Sequence, residues 1–104
     1  MRYLLLISAD ETTTATTNGF QAWLTDLRER GVLEVHAGLH PSPNATTVRV
    51  RQDEVLLTDG PFIEGREQIG GFALIDCRDL DEAVEIAAGH PASAFGQVEI
   101  RPVR

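Results

Sequence analysis

A chain of 104 residues, 42% hydrophobic and 24% charged, has the composition of an ordinary globular domain and length enough for one core, so residues 1–104 are expected to fold as a single domain. The formal net charge of −7 opposes phosphate backbones and no basic cluster offsets it, which sets nucleic acid aside as a partner. All nine cations are arginines, which removes lysine Schiff-base and general-base chemistry, and the single cysteine, Cys77, can form neither an internal disulfide nor a thiolate zinc cluster within the chain.

In chain order, Arg2 to Ile7 is almost continuously apolar, the pattern of a central strand. Its run Tyr3-Leu4-Leu5-Leu6-Ile7 is far shorter than the roughly 20 residues of a bilayer crossing, so no membrane contact is expected, and the cysteine usage points to the cytoplasm. A polar stretch from Asp10 to Thr17 follows. Phe20, Trp23, Leu24 and Leu27 then recur at i, i+3, i+4 and i+7, which predicts a helix with Asn18 as cap, Gln21 reciprocating, and Gly31 ending it in a left-handed conformation. Val32 to Leu39 reads as a second strand, stopped by His40-Pro41 and the turn formers Ser42-Pro43-Asn44. The alternation from Thr46 to Thr58 around a tight Gln52-Asp53 turn predicts a half-exposed hairpin in which Arg51 and Glu54 can pair. Gly70-Gly71 opens the buried-looking strand Phe72 to Cys77 and allows close backbone approach. Asp79 with Glu82 caps a helix from Leu80 to Ala88 whose Leu80, Ala83, Val84 and Ala87 share a face, and Gln97 to Val103 is the last strand.

The order β-α-β, hairpin, β-α-β is that of an α+β chain, the ferredoxin-like split βαβ plan with an inserted β-hairpin. A sheet of this size carries its helices on one face, so its other face needs a cover, and a second copy of the chain is the simplest one: a homodimer is expected.

The segment Thr58-Asp59-Gly60-Pro61-Phe62-Ile63-Glu64-Gly65-Arg66-Glu67-Gln68-Ile69-Gly70-Gly71-Phe72 closely resembles the signature of the YCII-related proteins that carry the DGPF domain. The opening Met1 to Ile7, the Gly31-Val32-Leu33 junction, Ala45 to Arg49 and the closing Val98 to Pro102 extend the likeness over nearly the whole chain. The resemblance implies a dimeric α+β barrel of ferredoxin-like subunits, and a family of undefined biochemical role in which some members are linked to sigma factors of the extracytoplasmic-function type. Shorter YCII proteins carry a histidine early in the first helix and an aspartate before a late proline as a candidate acid/base dyad. Here the helix from Gly19 to Arg30 holds no histidine and Pro91 follows His90, so the dyad does not carry over.

Asp59-Gly60-Pro61 is explicable as a turn alone, yet a rigid turn also holds a carboxylate still for proton transfer. Glu64, Arg66 and Glu67 follow it, two carboxylates and a guanidinium that can form a ligand-binding group or remain a solvated loop. His36, on the second strand, is the candidate to share acid/base work with Asp59, beside its plainer reading as a structural residue. His40 and His90, each before a proline, are expected at exposed element ends; Trp23 and Cys77 are expected in the core. No metal-ligand spacing and no cofactor motif is present. These residues point to a small-molecule-binding protein or enzyme with a charged pocket around the Asp59–Phe62 turn; the alternative is a non-catalytic interaction or regulatory module of a sigma-factor system. The sequence names no reaction.

Overall fold

A computed structural model describes residues 1–12 and 18–104; the end of the polar stretch, 13–17, lies outside the described residues. The molecule is α+β. Strand β1 (Arg2–Asp10) lies inside a four-stranded sheet, between β5 (Glu67–Asp76) and β6 (Gln97–Pro102), with β2 (Leu33–Gly38) on the far side of β5. Every pairing in this sheet is antiparallel. Strands β3 (Thr46–Arg51) and β4 (Glu54–Asp59) form a separate two-stranded sheet, and the helices are α1 (Phe20–Glu29) and α2 (Leu80–Ala88). Among the described residues no helix is long and apolar enough to cross a membrane.

Pairing decides which side chains meet. Leu5 stands opposite Ala73 and Ile100, and Tyr3 opposite Ile75, so these residues share one face of the sheet. That face packs against Trp23, Leu24 and Leu27 of α1 and Ala83 and Ile86 of α2 to make the core. Leu5, Leu24, Leu27, Ile75 and Ile86 are the largest fully buried side chains, each contributing roughly 1.5–3 kcal/mol by its removal from water.

The helix ends show how local chemistry fixes these elements. The N-cap of α1 is Gly19 at φ 96°, without a side-chain cap hydrogen bond, one residue beyond the expected Asn18. At its C-terminus Gly31 takes φ 69°, its N–H donating to the Arg28 carbonyl (3.0 Å) and that of Val32 to Leu27 (3.1 Å), the paired bonds of a Schellman ending. Asp79 accepts from the Glu82 N–H at 3.0 Å as expected, but the Glu82 carboxylate reaches back to the Arg78 N–H at 2.9 Å rather than to the cap residue's own. Arg30 then ties the two helices together, meeting Asp26, Glu82 and Glu85 at 3.0–3.2 Å.

The buried side of α2 differs from expectation. Ala83, Ile86 and Ala87 face the core, whereas Leu80 and Val84 lie about half exposed, because the helix is rotated to bring its largest central side chain, Ile86, inward. Strand β5 also begins earlier than expected and runs through Gly70-Gly71; a Cβ on Gly71 would stand 3.0 Å from the Ala37 carbonyl oxygen, so the close backbone approach is real there. In the hairpin Gln52 and Asp53 both have positive φ (51° and 66°), the geometry whose twist matches paired strands. Arg51 and Glu54 are opposite in register, but the Arg51 guanidinium donates to the Val50 carbonyl instead. The hairpin is more open than half-exposed: Val48, Val50, Val55 and Leu57, on one face, are 57–68% exposed. On the helix-free side of the main sheet Leu4, Leu6, Phe72 and Leu74 are half-buried and Val35 is exposed.

The tightest backbone approach is at Gly96, where a Cβ would lie 2.2 Å from the Ser8 carbonyl oxygen. Gly96→Ala is expected to cost about 1–3 kcal/mol in chemical denaturation, through the displacement it forces between β1 and the segment entering β6. Gly70→Ala, where nothing lies within 4 Å of the added carbon, should be neutral within about 1 kcal/mol.

Candidate functional site

On the helix side of the sheet, near the C-terminal end of β1, a cleft of about 630 Å³ opens between β2, β5, the start of α1 and the 3₁₀ turn Pro91–Ala94. Phe20 lines it and is the ring that the other rings meet. Its ring centroid is 6.2 Å from that of Trp23, 6.1 Å from His36 and 5.6 Å from His90, while Trp23 and His90 meet edge to face at 4.7 Å. The Trp23 indole N–H donates to the Ile86 carbonyl at 2.8 Å, which anchors the ring to α2 and leaves only its apolar surface for the cleft.

The two histidines are held in defined ways. His90 caps the 3₁₀ turn: its Nδ1 accepts the Ala92 N–H at 2.9 Å, an acceptor role that places the neutral ring's proton on Nε2. Burial pushes the His90 pKa below its ordinary value, since charging the ring here forfeits solvation. His36 Nε2 lies 3.2 Å from the Arg28 guanidinium, which can only donate, so this nitrogen accepts and the proton of the neutral ring sits on Nδ1. At the rim, Asp10 accepts from the Thr12 hydroxyl (2.6 Å) and N–H (2.9 Å), hydrogen bonds that hold its carboxyl below the usual range, with Arg66 adding a smaller attraction. Glu11 accepts from the Ser42 N–H at 2.6 Å and from the Ser42 hydroxyl.

Of the five residues put forward from sequence as catalytic or ligand-binding, His36, Asp59, Glu64, Arg66 and Glu67, only His36 lines this cleft. Glu67 lines a second cleft of about 600 Å³ on the helix-free side, beside Pro61 and Phe62; Asp59, Glu64 and Arg66 line neither. Asp59 ends β4 opposite Thr46 and is exposed on the hairpin's own sheet. The turn after it is fastened through Gly60, not through the carboxylate: the Gly60 N–H donates to the Ala45 carbonyl (2.7 Å) and its carbonyl accepts from the Thr47 hydroxyl (2.8 Å), at a φ of 101° that favours glycine. Arg49 lies over the Phe62 ring at 5.2 Å, and Gln68 donates to the carbonyls of Ile63 (3.0 Å) and Gly65 (2.9 Å). The segment is thus a braced loop whose acidic side chains face solvent.

His90 reverses its expectation. It does sit at an element end, but that end is packed beneath Phe20 and Trp23, and the residue is only 8% exposed. The signal was present: Ala83, Ile86, Ala87 and His90 continue one i, i+3, i+4, i+7 stripe, all of it buried. His40 is exposed as expected, and Trp23 is buried in the core while also walling the cleft.

A histidine kept neutral by burial ties stability to pH. Below the unfolded value of about 6.5 the unfolded chain takes up a proton that folded His90 resists, so stability falls with pH in that range and is full above it. Thermal unfolding should show a flat midpoint above about pH 6.5 and a decline below it, no steeper than about 1.4 kcal/mol per pH unit for one proton. His90→Asn, which keeps an acceptor for the Ala92 N–H, should flatten that decline; an unchanged decline would show that another group titrates there.

Comparison with known proteins places the chain. The model of the YCII-related domain matches residues 1–104. An uncharacterised protein of Rhizobium meliloti (strain 1021) is 42% identical over 77 residues, covering 72% of this chain and 62% of that protein, so the chain matches less than two thirds of its relative's length. With the family model spanning every residue of the α+β fold described above, the chain belongs to the YCII-related family.

Proposed function

We propose that the protein binds a small molecule in the cleft around Phe20. The observation that carries this reading is the gathering of Phe20, Trp23, His36 and His90 around a recess of about 630 Å³, a size and lining suited to a small organic ligand. Binding is thereby centred on His36 and the aromatic wall instead of the Asp59–Phe62 turn, whose braced loop, with Glu67, frames the second cleft. No reaction is assigned to the cleft. Ligand-observed NMR with a set of small planar aromatic molecules should detect saturable contact with the protein. Phe20→Ala should weaken it by about fivefold or more, because the central ring is removed. Absence of contact, or contact indifferent to Phe20, would count against the cleft.

In the same reading the subunit is a ferredoxin-like split βαβ unit with an inserted hairpin, and a second copy covers its open face to form a dimeric barrel. The strand order β2-β5-β1-β6 and the uncovered Val35, Val48, Val50, Val55 and Leu57 support it, since apolar surface of this extent favours a partner. Sedimentation should give twice the 11.4 kDa chain mass, and Leu57→Asp, at a site 68% exposed in the isolated subunit, should yield a folded monomer. A wild-type monomer would overturn the dimer. It would leave the exposed apolar residues, Phe62 and Ile63 among them, for a different protein and favour the second reading, an interaction module of a sigma-factor system.

A further inference from the structure

We propose that His90 is the hydrogen-bond donor that reads the ligand, and that the cleft takes a flat, uncharged aromatic molecule with one acceptor atom at its edge. This rests on the binding role given to the cleft above and specifies its chemistry. The shape follows from the walls. Phe20 and Trp23 present rings, Phe95 lines the recess beside them, and the Trp23 N–H is already spent on the Ile86 carbonyl, so the indole offers a π surface and no donor.

The acceptor follows from His90. The Ala92 N–H occupies Nδ1, so the neutral ring carries its proton on Nε2. No fully buried side-chain nitrogen or oxygen among the described residues lacks a partner, and none of those residues hydrogen-bonds Nε2, so this N–H keeps an opening. His90 lines the cleft and is otherwise enclosed, which makes the cleft its outlet. A ligand that fills the recess strips water from this donor, and one without an acceptor leaves it unpaired.

Charge narrows the class further. The charged residues lining the cleft are Asp10 and Glu11; Arg28, held against His36, and Arg66, near Asp10, stand behind the lining, so an anion in the recess meets like charge first. Both carboxylates already accept hydrogen bonds, from Thr12 and Ser42, while the inner wall turns the positive end of an N–H bond toward the ligand, so a cation is not favoured at depth.

The test uses naphthalene, quinoline, N-methylquinolinium and 2-naphthoate, which share a two-ring frame and differ in acceptor and charge. Quenching of Trp23, the one tryptophan of the chain, reads binding at the site itself. At pH 8 quinoline should bind about five- to tenfold more tightly than naphthalene, the worth of one hydrogen bond to a desolvated donor, and more tightly than either charged analogue. In His90→Asp, whose carboxylate can accept the Ala92 N–H but offers no donor to the ligand, the ratio of quinoline to naphthalene affinity should fall to about one. Should that variant not fold, nitrogen NMR of the wild-type imidazoles takes its place, with the His90 Nε2 resonance moving under saturating quinoline and not under naphthalene. Equal binding of naphthalene and quinoline, tightest binding of a charged analogue, or an unmoved Nε2 resonance overturns the donor role while leaving the cleft a binding site. Failure of all four to quench Trp23 saturably overturns both.

Discussion

The antiparallel pairing of β1 with β5, which sets Tyr3 opposite Ile75 and Leu5 opposite Ala73, governs the rest of the molecule because it decides which side of the sheet becomes core. Residues of the same parity on β6 and β2 join that side, and the two helices close over it. The opposite parity, Leu4, Leu6, Phe72 and Leu74, is left on a face that no helix covers. A shift of register by one residue would exchange the two sets, so the one-sidedness of the fold is fixed by the alternation of its central strands.

The cleft is a consequence of the same arrangement at the sheet's end. Between Ile7 and Ser8 the register of β1 on β5 slips, and at Gly71 the backbones of β5 and β2 approach so closely that an added Cβ would press on the Ala37 carbonyl oxygen at 3.0 Å. Beyond this point the helices no longer fill the space above the sheet. The rings at the start of α1 and the His90 turn after α2 stand around what remains. His90 links fold to site: one ring nitrogen completes the turn that follows α2, and the same ring forms part of the cleft wall. An imidazole serving backbone and cleft together is constrained in tautomer and position, as a group that recognises a ligand must be.

Much of the fold was legible because it rests on local pattern. The unbroken apolar run of β1, the Phe20-Trp23-Leu24-Leu27 stripe, the Gly31 ending and the Gln52-Asp53 turn each depend on residues close in sequence, and each is found as expected. Less was legible where rotation or long-range contact decides. Leu80 and Val84 fit a helical stripe as well as Ala83 and Ile86 do, and only packing on β1 and β6 selects the second pair. Asp59, Glu64, Arg66 and Glu67 are neighbours in sequence, but Asp59 belongs to the hairpin's own sheet, Glu64 and Arg66 to the exposed loop after it and Glu67 to the start of β5, and none of the four lines the cleft with His36. The gathering of Phe20 with His90 spans seventy residues of chain and has no local signature beyond the continuation of the α2 stripe.

The place proposed for a ligand is the cleft around Phe20. Crystals soaked with planar aromatic fragments test this most directly. Electron density for a fragment against Phe20 and Trp23, with an acceptor atom within hydrogen-bonding distance of His90 Nε2, is the result the account predicts. Density confined to the second cleft or to the loop after Asp59, with the Phe20 cleft empty across the whole set, would contradict it.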